Sequence, residues 1–337
     1  MPYIAKHNDQ LPDCISGSFH IEPELELTFG DKLYSTIVSY SVYGDIQKPA
    51  IVVLGGISAD QYVADTDIEG IFVKGWWDPL VGYNKAIDLN HYSVISLNYL
   101  DGRSSAGNFC LDDQLKISTF DQATILNLLL NELKLTSYHA IVGASYGGMV
   151  ALAFAERFPA KLEQLIVICC TEKSSPRNTA LRSLQRQILQ LSLKHDDAET
   201  GLVLARSLAT LGYRGATEIE SRFENTICTE SKSVDFPVIG YLKNQGEKFA
   251  DRFCANRFIN LSLSVDLHQI TPQNISVPCL CIGIEGDLIA PIPSVKQLAK
   301  KIGQHAQFSK LKSKVGHDGF LKEFDQLNKL IQSRLGS

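Results

Sequence analysis

One segment restricts the fold more than any other. His139-Ala-Ile-Val-Gly-Ala-Ser-Tyr-Gly-Gly-Met-Val-Ala-Leu-Ala-Phe joins an apolar β-branched run, a Gly143-x-Ser145-x-Gly147 turn and a helix-forming run. A sharp strand-to-helix turn demands glycines on both sides of the serine, because side chains there would collide with the neighbouring strand and helix. Such a turn projects the Ser145 hydroxyl above a sheet, with the positive end of the following helix beneath it.

The remaining chain has the rhythm this segment needs. Strand-like runs at Ala50–Leu54, Tyr92–Leu97, His139–Val142, Leu165–Cys169, Cys279–Ile284 and Gln307–Leu311 are short and apolar enough to be covered on both faces. Thr119–Leu133 and Gly148–Arg157 carry apolar residues at helical spacing, so the pattern predicts an α/β fold with a mostly parallel sheet. From about Thr171 to Thr271 the rhythm becomes helical, at Leu181–Leu193, Thr200–Leu211, Ala216–Phe223 and Val238–Ala255. A length of 337 residues exceeds the usual single-core size of about 100–200. The expected organisation is therefore a core from residues 1–170 and 272–337 with an inserted helical lobe at 171–271.

Composition excludes several classes. At 45% hydrophobic and 20% charged residues the chain is too apolar to be disordered. With 32 basic against 37 acidic residues, net charge −5, it has no global positive field for nucleic acid. No run approaches the roughly 18 apolar residues of a membrane span, and no secretory leader is visible, so the expectation is a cytoplasmic protein without membrane partners. The eight cysteines lack the paired spacing of a zinc site, and no metal is expected. Cys169, Cys170, Cys279 and Cys281 read as small buried residues of strands.

A serine hydroxyl needs a histidine base and a carboxylate that fixes its tautomer. Downstream of Ser145 lie His195, His268, His305 and His317. His317 alone follows the last strand, in a loop at the sheet's carboxyl edge; the others read as surface or packing residues. Asp287 opens the loop after Cys279–Gly286, whereas Asp251 and Asp266 sit inside the presumed lobe. Ser145, Asp287 and His317 are thus the expected catalytic triad. An oxyanion hole would use the backbone N–H of Tyr146 and one from Gly55-Gly56, after an early strand.

The elbow with Gly148-Met149, Leu54-Gly-Gly, Gly75-Trp-Trp-Asp-Pro-Leu-Val-Gly with Lys85-Ala-Ile-Asp, Ala205-Arg206 followed by Gly212-Tyr213, and Gly316-His-Asp-Gly-Phe-Leu together resemble the homoserine O-acyltransferase family. The resemblance covers most of the chain. It implies an α/β-hydrolase fold with a helical lid, no bound cofactor, and acetyl-CoA or succinyl-CoA as co-substrate. It also implies acyl transfer through an acyl-serine to the hydroxyl of L-homoserine, within methionine biosynthesis, by a homodimer. Arg206 and Tyr213 match family residues that bind the amino acid, and Asp318 matches the residue that holds its amine. Ala144 and Tyr146 depart from the usual Gly-Asn-Ser-Met-Gly-Gly, as does Asp101-Gly-Arg-Ser-Ser-Ala-Gly-Asn from the usual Gly-Ser-Thr-Gly-Pro. A succinyl carboxylate needs one more cation, for which Arg103, Arg177, Arg182 and Arg186 are open. The rival readings are a serine O-acyltransferase, a serine esterase with the same triad, and a binding module that lost catalysis.

Overall fold

The computed structural model describes residues 11–102, 115–226 and 236–336; Arg103, Cys110 and Cys228 lie outside the described residues. Eight strands form one sheet: β1 Cys14–Glu26, β2 Lys32–Tyr43, β3 Ala50–Leu54, β4 Ser93–Leu97, β5 Tyr138–Ala144, β6 Leu162–Ile168, β7 Cys279–Ile284 and β8 Ala306–Leu311. Their spatial order is β1-β2-β4-β3-β5-β6-β7-β8. β1 and β2 are antiparallel to each other and β2 to β4, while every pair from β4 to β8 is parallel. The six parallel strands are those that the apolar runs predict, because burial on both faces requires such runs. The β1–β2 hairpin is absent from that expectation. On β1 only Phe19 and Ile21 are buried, so its apolar signal is confined to one face.

Around the sheet lie α1 (Thr119–Glu132), α2 (Tyr146–Arg157), α8 (Ile292–Ile302) and α9 (Phe324–Leu335). Ser118 starts α1 by a capping box: its hydroxyl accepts from the Asp121 N–H while the Asp121 carboxylate accepts from the Ser118 N–H. Between β6 and β7 the described residues form five α-helices, α3 (Pro176–Leu193), α4 (Ala198–Tyr213), α5 (Ala216–Arg222), α6 (Pro237–Ala250) and α7 (Ala255–Leu267). The single helix expected over Val238–Ala255 ends at Ala250, and a second, unpredicted helix begins at Ala255. The insertion closes at its root, where Lys173 bridges Gln269 and the Ile270 N–H donates to Glu172 O. No helix among the described residues is long and apolar enough to cross a membrane.

α7 is fastened to the core rather than hung above it. Ser264 Oγ and Tyr146 Oη are 2.7 Å apart, Asn260 Nδ2 donates to Asp101 O, and Ser174 Oγ donates to Val265 O. Just beyond it, buried His268 bonds Thr119 Oγ1 at 2.8 Å and Thr171 O at 3.0 Å. This is the packing histidine the sequence suggests. Burial lowers its pKa from the ordinary 6.5 to about 4, against a smaller opposing effect of the Thr171 carbonyl.

The unfolded chain therefore binds a proton that the folded chain excludes between pH 6.5 and 4, and stability falls as pH drops through that window. The single-site contribution reaches about 3 kcal/mol at pH 4. Unfolding free energies measured over this range should fall less steeply in His268→Gln, which does not titrate. An unchanged slope would remove His268 as the cause.

Candidate active site

Ser145 stands between β5 and α2 with φ 55° and ψ −119°, a conformation a side chain seldom accepts. The flanking glycines explain why it persists. A Cβ on Gly143 would lie 2.3 Å from Gly147 O, and one on Gly147 would lie 2.3 Å from Leu54 O. Only glycine allows α2 and β3 to approach this closely. Gly147 N–H donates to Gly55 O at 2.9 Å, and Ser145 N–H to Ile168 O at 2.9 Å, tying the turn to the neighbouring strands.

The loops after β7 and β8 bring the two partners. Asp287 is buried; its Oδ1 accepts from the N–H groups of Ile289 (2.7 Å) and Ala290 (2.9 Å). Its Oδ2 lies 2.8 Å from His317 Nδ1, and His317 Nε2 lies 2.8 Å from Ser145 Oγ. A carboxylate only accepts, so Nδ1 carries the proton and Nε2 offers its lone pair to the serine hydroxyl. Thus the three residues singled out from sequence meet in the order the chemistry needs. The His317 loop is shaped by Gly316, at φ 70°, where a Cβ would fall 2.7 Å from the N of Gly215, the residue that caps the start of α5. Tyr213, also in α4, stacks on the imidazole with centroids 5.9 Å apart.

Burial alone would make His317 a weaker base, but the charge and hydrogen bond of Asp287, together with the neighbouring Cys169, outweigh it and hold the pKa well above 6.5. The imidazole therefore loses its free lone pair as pH falls, beginning above pH 6.5. The rate at which a fluorophosphonate labels Ser145 should follow a single proton with its midpoint above 6.5. In Asp287→Asn that midpoint should move down and the rate should drop, by roughly 10⁴-fold if the carboxamide imposes the wrong tautomer. A midpoint unmoved in Asp287→Asn would remove the carboxylate as the cause.

Ser145 and His317 open into a cavity of about 500 Å³ lined from both core and insertion. Gly56 and Ile57 line it, whereas the Gly55 carbonyl is turned away, accepting from Gly147 N–H and from Tyr99 Oη at 2.6 Å. Of the two loop glycines, Gly56 is thus the one that lines the cavity into which Ser145 opens. Tyr146 begins α2, where its N–H has no partner one turn back. Its buried ring meets Tyr99 edge-on, centroids 4.8 Å apart. The departure at this position thus builds a strut from the serine turn to α7.

Arg206, Tyr213 and Asp318 all line the cavity. The Arg206 guanidinium lies over the rings of Tyr213 (5.1 Å) and Phe249 (4.8 Å), and its Nε is buried without a hydrogen-bond partner. Asp318 is already engaged, with Arg214 Nε 3.2 Å from its Oδ2. Among the candidate cations Arg177 is exposed and Arg186 is buried against Asp266; neither lines the cavity. Arg182 does, but is paired with the same Asp266 at 2.6 Å. Lys74 and Arg252, not singled out from sequence, line it too, because loops remote in the chain are folded over the same opening. Cys169 also differs from its expected place: it follows β6 rather than belonging to it, has φ 47°, and lines the cavity.

Sheet order, serine turn and hydrogen-bonded triad define an α/β-hydrolase-fold enzyme. A family model described as the alpha/beta hydrolase fold matches residues 40–324. The chain is 33% identical over 296 residues to a homoserine O-succinyltransferase of Xanthomonas campestris pv. campestris, covering 88% of this chain and 78% of that one. It is 28% identical over 345 residues to a homoserine O-acetyltransferase of Moorella thermoacetica, covering 91% and 92%. Within the α/β-hydrolase fold, the chain belongs to this family of homoserine O-acetyl- and O-succinyltransferases, which are acyltransferase enzymes. A solved homoserine O-acetyltransferase of Bacillus anthracis superposes with a TM-score of 0.87 over 96% of this chain and 98% of that one; at 20% identity this is a likeness of fold.

Proposed function

We infer that the protein transfers an acetyl or succinyl group from acyl-CoA, through an acyl-Ser145, to the side-chain hydroxyl of L-homoserine. The observation that carries this reading is the pairing of a complete nucleophile–base–acid chain with an arginine whose buried Nε is unsatisfied in the same cavity. Water needs no such arginine; an amino-acid carboxylate does.

His317 takes the Ser145 proton as Oγ attacks the thioester carbonyl. The oxyanion is met by the N–H groups of Tyr146 and Gly56, and CoA leaves as the thiol with the proton from His317. Homoserine then enters, its carboxylate on Arg206 and its ammonium on the carboxylate of Asp318, which Arg214 holds in place. His317 removes the hydroxyl proton, the oxygen attacks the acyl-serine, and Ser145 leaves with that proton. Tyr213, stacked on the imidazole and under the guanidinium, fixes the distance between base and carboxylate site. Six described cysteines are free thiols, in keeping with a cytoplasmic place.

Initial rates with both substrates varied should give parallel lines, and Ser145→Ala should abolish turnover; intersecting lines would overturn the acyl-enzyme. Arg206→Ala should lower kcat/KM for homoserine about ten- to hundredfold while changing thioester hydrolysis little. Equal loss of both favours the esterase reading. Products formed with acetyl-CoA and succinyl-CoA offered together, against homoserine and serine, identify donor and acceptor by mass.

The reading extends to a homodimer through the insertion. Leu184 and Leu191 on α3, and Leu204 and Leu211 on α4, lie seven residues apart in each helix and are 45–59% exposed. Sedimentation should give twice the chain mass for the wild type and the chain mass for Leu191→Glu with Leu204→Glu.

A further inference from the structure

Beside the proposed triad lies a third ligand-bearing group with no task in acyl transfer. The sulfur of Cys169, one ring nitrogen of His317 and one carboxylate oxygen of Asp287 all lie within 4.8 Å of one another, and all three side chains are buried. Cys169 is 1% exposed and its backbone is fixed, with N–H donating to Ile282 O at 2.8 Å. It also lines the cavity, so an ion in the cavity can reach it.

Thiolate, imidazole and carboxylate form a donor set suited to Zn²⁺ and poorly suited to Mg²⁺ or Ca²⁺, which take oxygen ligands. We propose that Cys169, His317 and Asp287 form an inhibitory site for a thiophilic divalent cation, with Zn²⁺ the type case.

At zinc bond lengths of roughly 2.0–2.3 Å, tetrahedral ligands stand about 3.3–3.7 Å apart. The 2.8 Å separation of His317 Nδ1 and Asp287 Oδ2 then widens by about half an ångström, and the sulfur moves in by up to about an ångström. A fourth position remains for water from the cavity. The proton balance accounts for the inhibition. Starting from the neutral imidazole, the ion takes the Nδ1 lone pair, the Nδ1 proton shifts to Nε2, and the thiol proton leaves to solvent, so one proton is released per ion; from the imidazolium two are released. His317 then presents N–H to Ser145 Oγ instead of a lone pair. The serine keeps its proton, and the +2 charge is balanced by thiolate and carboxylate.

Cobalt tests the site without reference to turnover, because Co²⁺ bound to a thiolate has a near-ultraviolet charge-transfer absorption. The unmodified 337-residue chain and Ser145→Ala should show this band on adding Co²⁺, as should Cys254→Ala, which lacks an exposed thiol. Cys169→Ala and Cys169→Ser should lack it. Asp287→Asn should keep the band but bind Co²⁺ at least about tenfold more weakly. In parallel, Zn²⁺ should stop fluorophosphonate labelling of Ser145 and a chelator should restore it. Cys169→Ser should need more than about tenfold as much Zn²⁺ for half-inhibition.

A band that persists in both Cys169 variants, or equal half-inhibiting zinc with and without the thiol, overturns the site. The inhibition arm rests on Ser145 as nucleophile, and the cobalt arm does not. A serine that is never labelled fails the function reading, whereas a labelled serine without a thiolate band fails the metal site.

Discussion

The closeness of α2 to the sheet is the constraint on which the rest of the site depends. Gly143 and Gly147 leave no room for a Cβ, so the chain passes from strand to helix in one step and Ser145 takes the strained conformation at its tip. The strain is held by the neighbours: β6 accepts the Ser145 N–H, and the loop after β3 accepts the Gly147 N–H. These bonds also draw the Gly55-Gly56 loop against the start of α2. The serine turn and the loop after β3 are therefore held by one packing contact.

The insertion is part of this machinery rather than a cover laid over it. Through Ser264, Asn260 and the neighbouring His268, α7 is bonded to the elbow tyrosine, to the loop after β4 and to the start of α1. α4 carries Arg206 and Tyr213 to the cavity, with Tyr213 stacked on His317, and the cap of α5 presses on Gly316. Moving this segment away from the core would leave these hydrogen-bonding groups unpaired.

The core and the three triad residues were legible because each is written in a local pattern. A strand buried on both faces must be apolar throughout, and a serine at a sharp turn must have glycine neighbours. A base and an acid at the sheet's carboxyl edge must follow strands. What escaped lacked such a pattern. The β1–β2 hairpin alternates only weakly, the break between α6 and α7 has no proline or glycine to mark it, and Cys169 looks like the end of a strand while its sulfur faces His317. Lys74 and Arg252 are ordinary surface cations until two distant loops are folded over the same cavity.

The sequence by itself determined the parallel sheet, the serine turn, the chain order of the serine, aspartate and histidine that meet at the sheet edge, and the placing of the excess length between Ser145 and Asp287. Periodicity, glycine spacing and strand order are all properties of neighbours along the chain. Tertiary structure alone decided that Arg206 has a buried, unsatisfied Nε, that Arg182 and Arg186 share Asp266, that Asp318 is held by Arg214, and that a thiol stands beside the imidazole. Whether a charge is free or paired, and whether a cysteine is inert or in reach of a catalytic group, depends on which residues distant in sequence share a few ångströms of low-dielectric space.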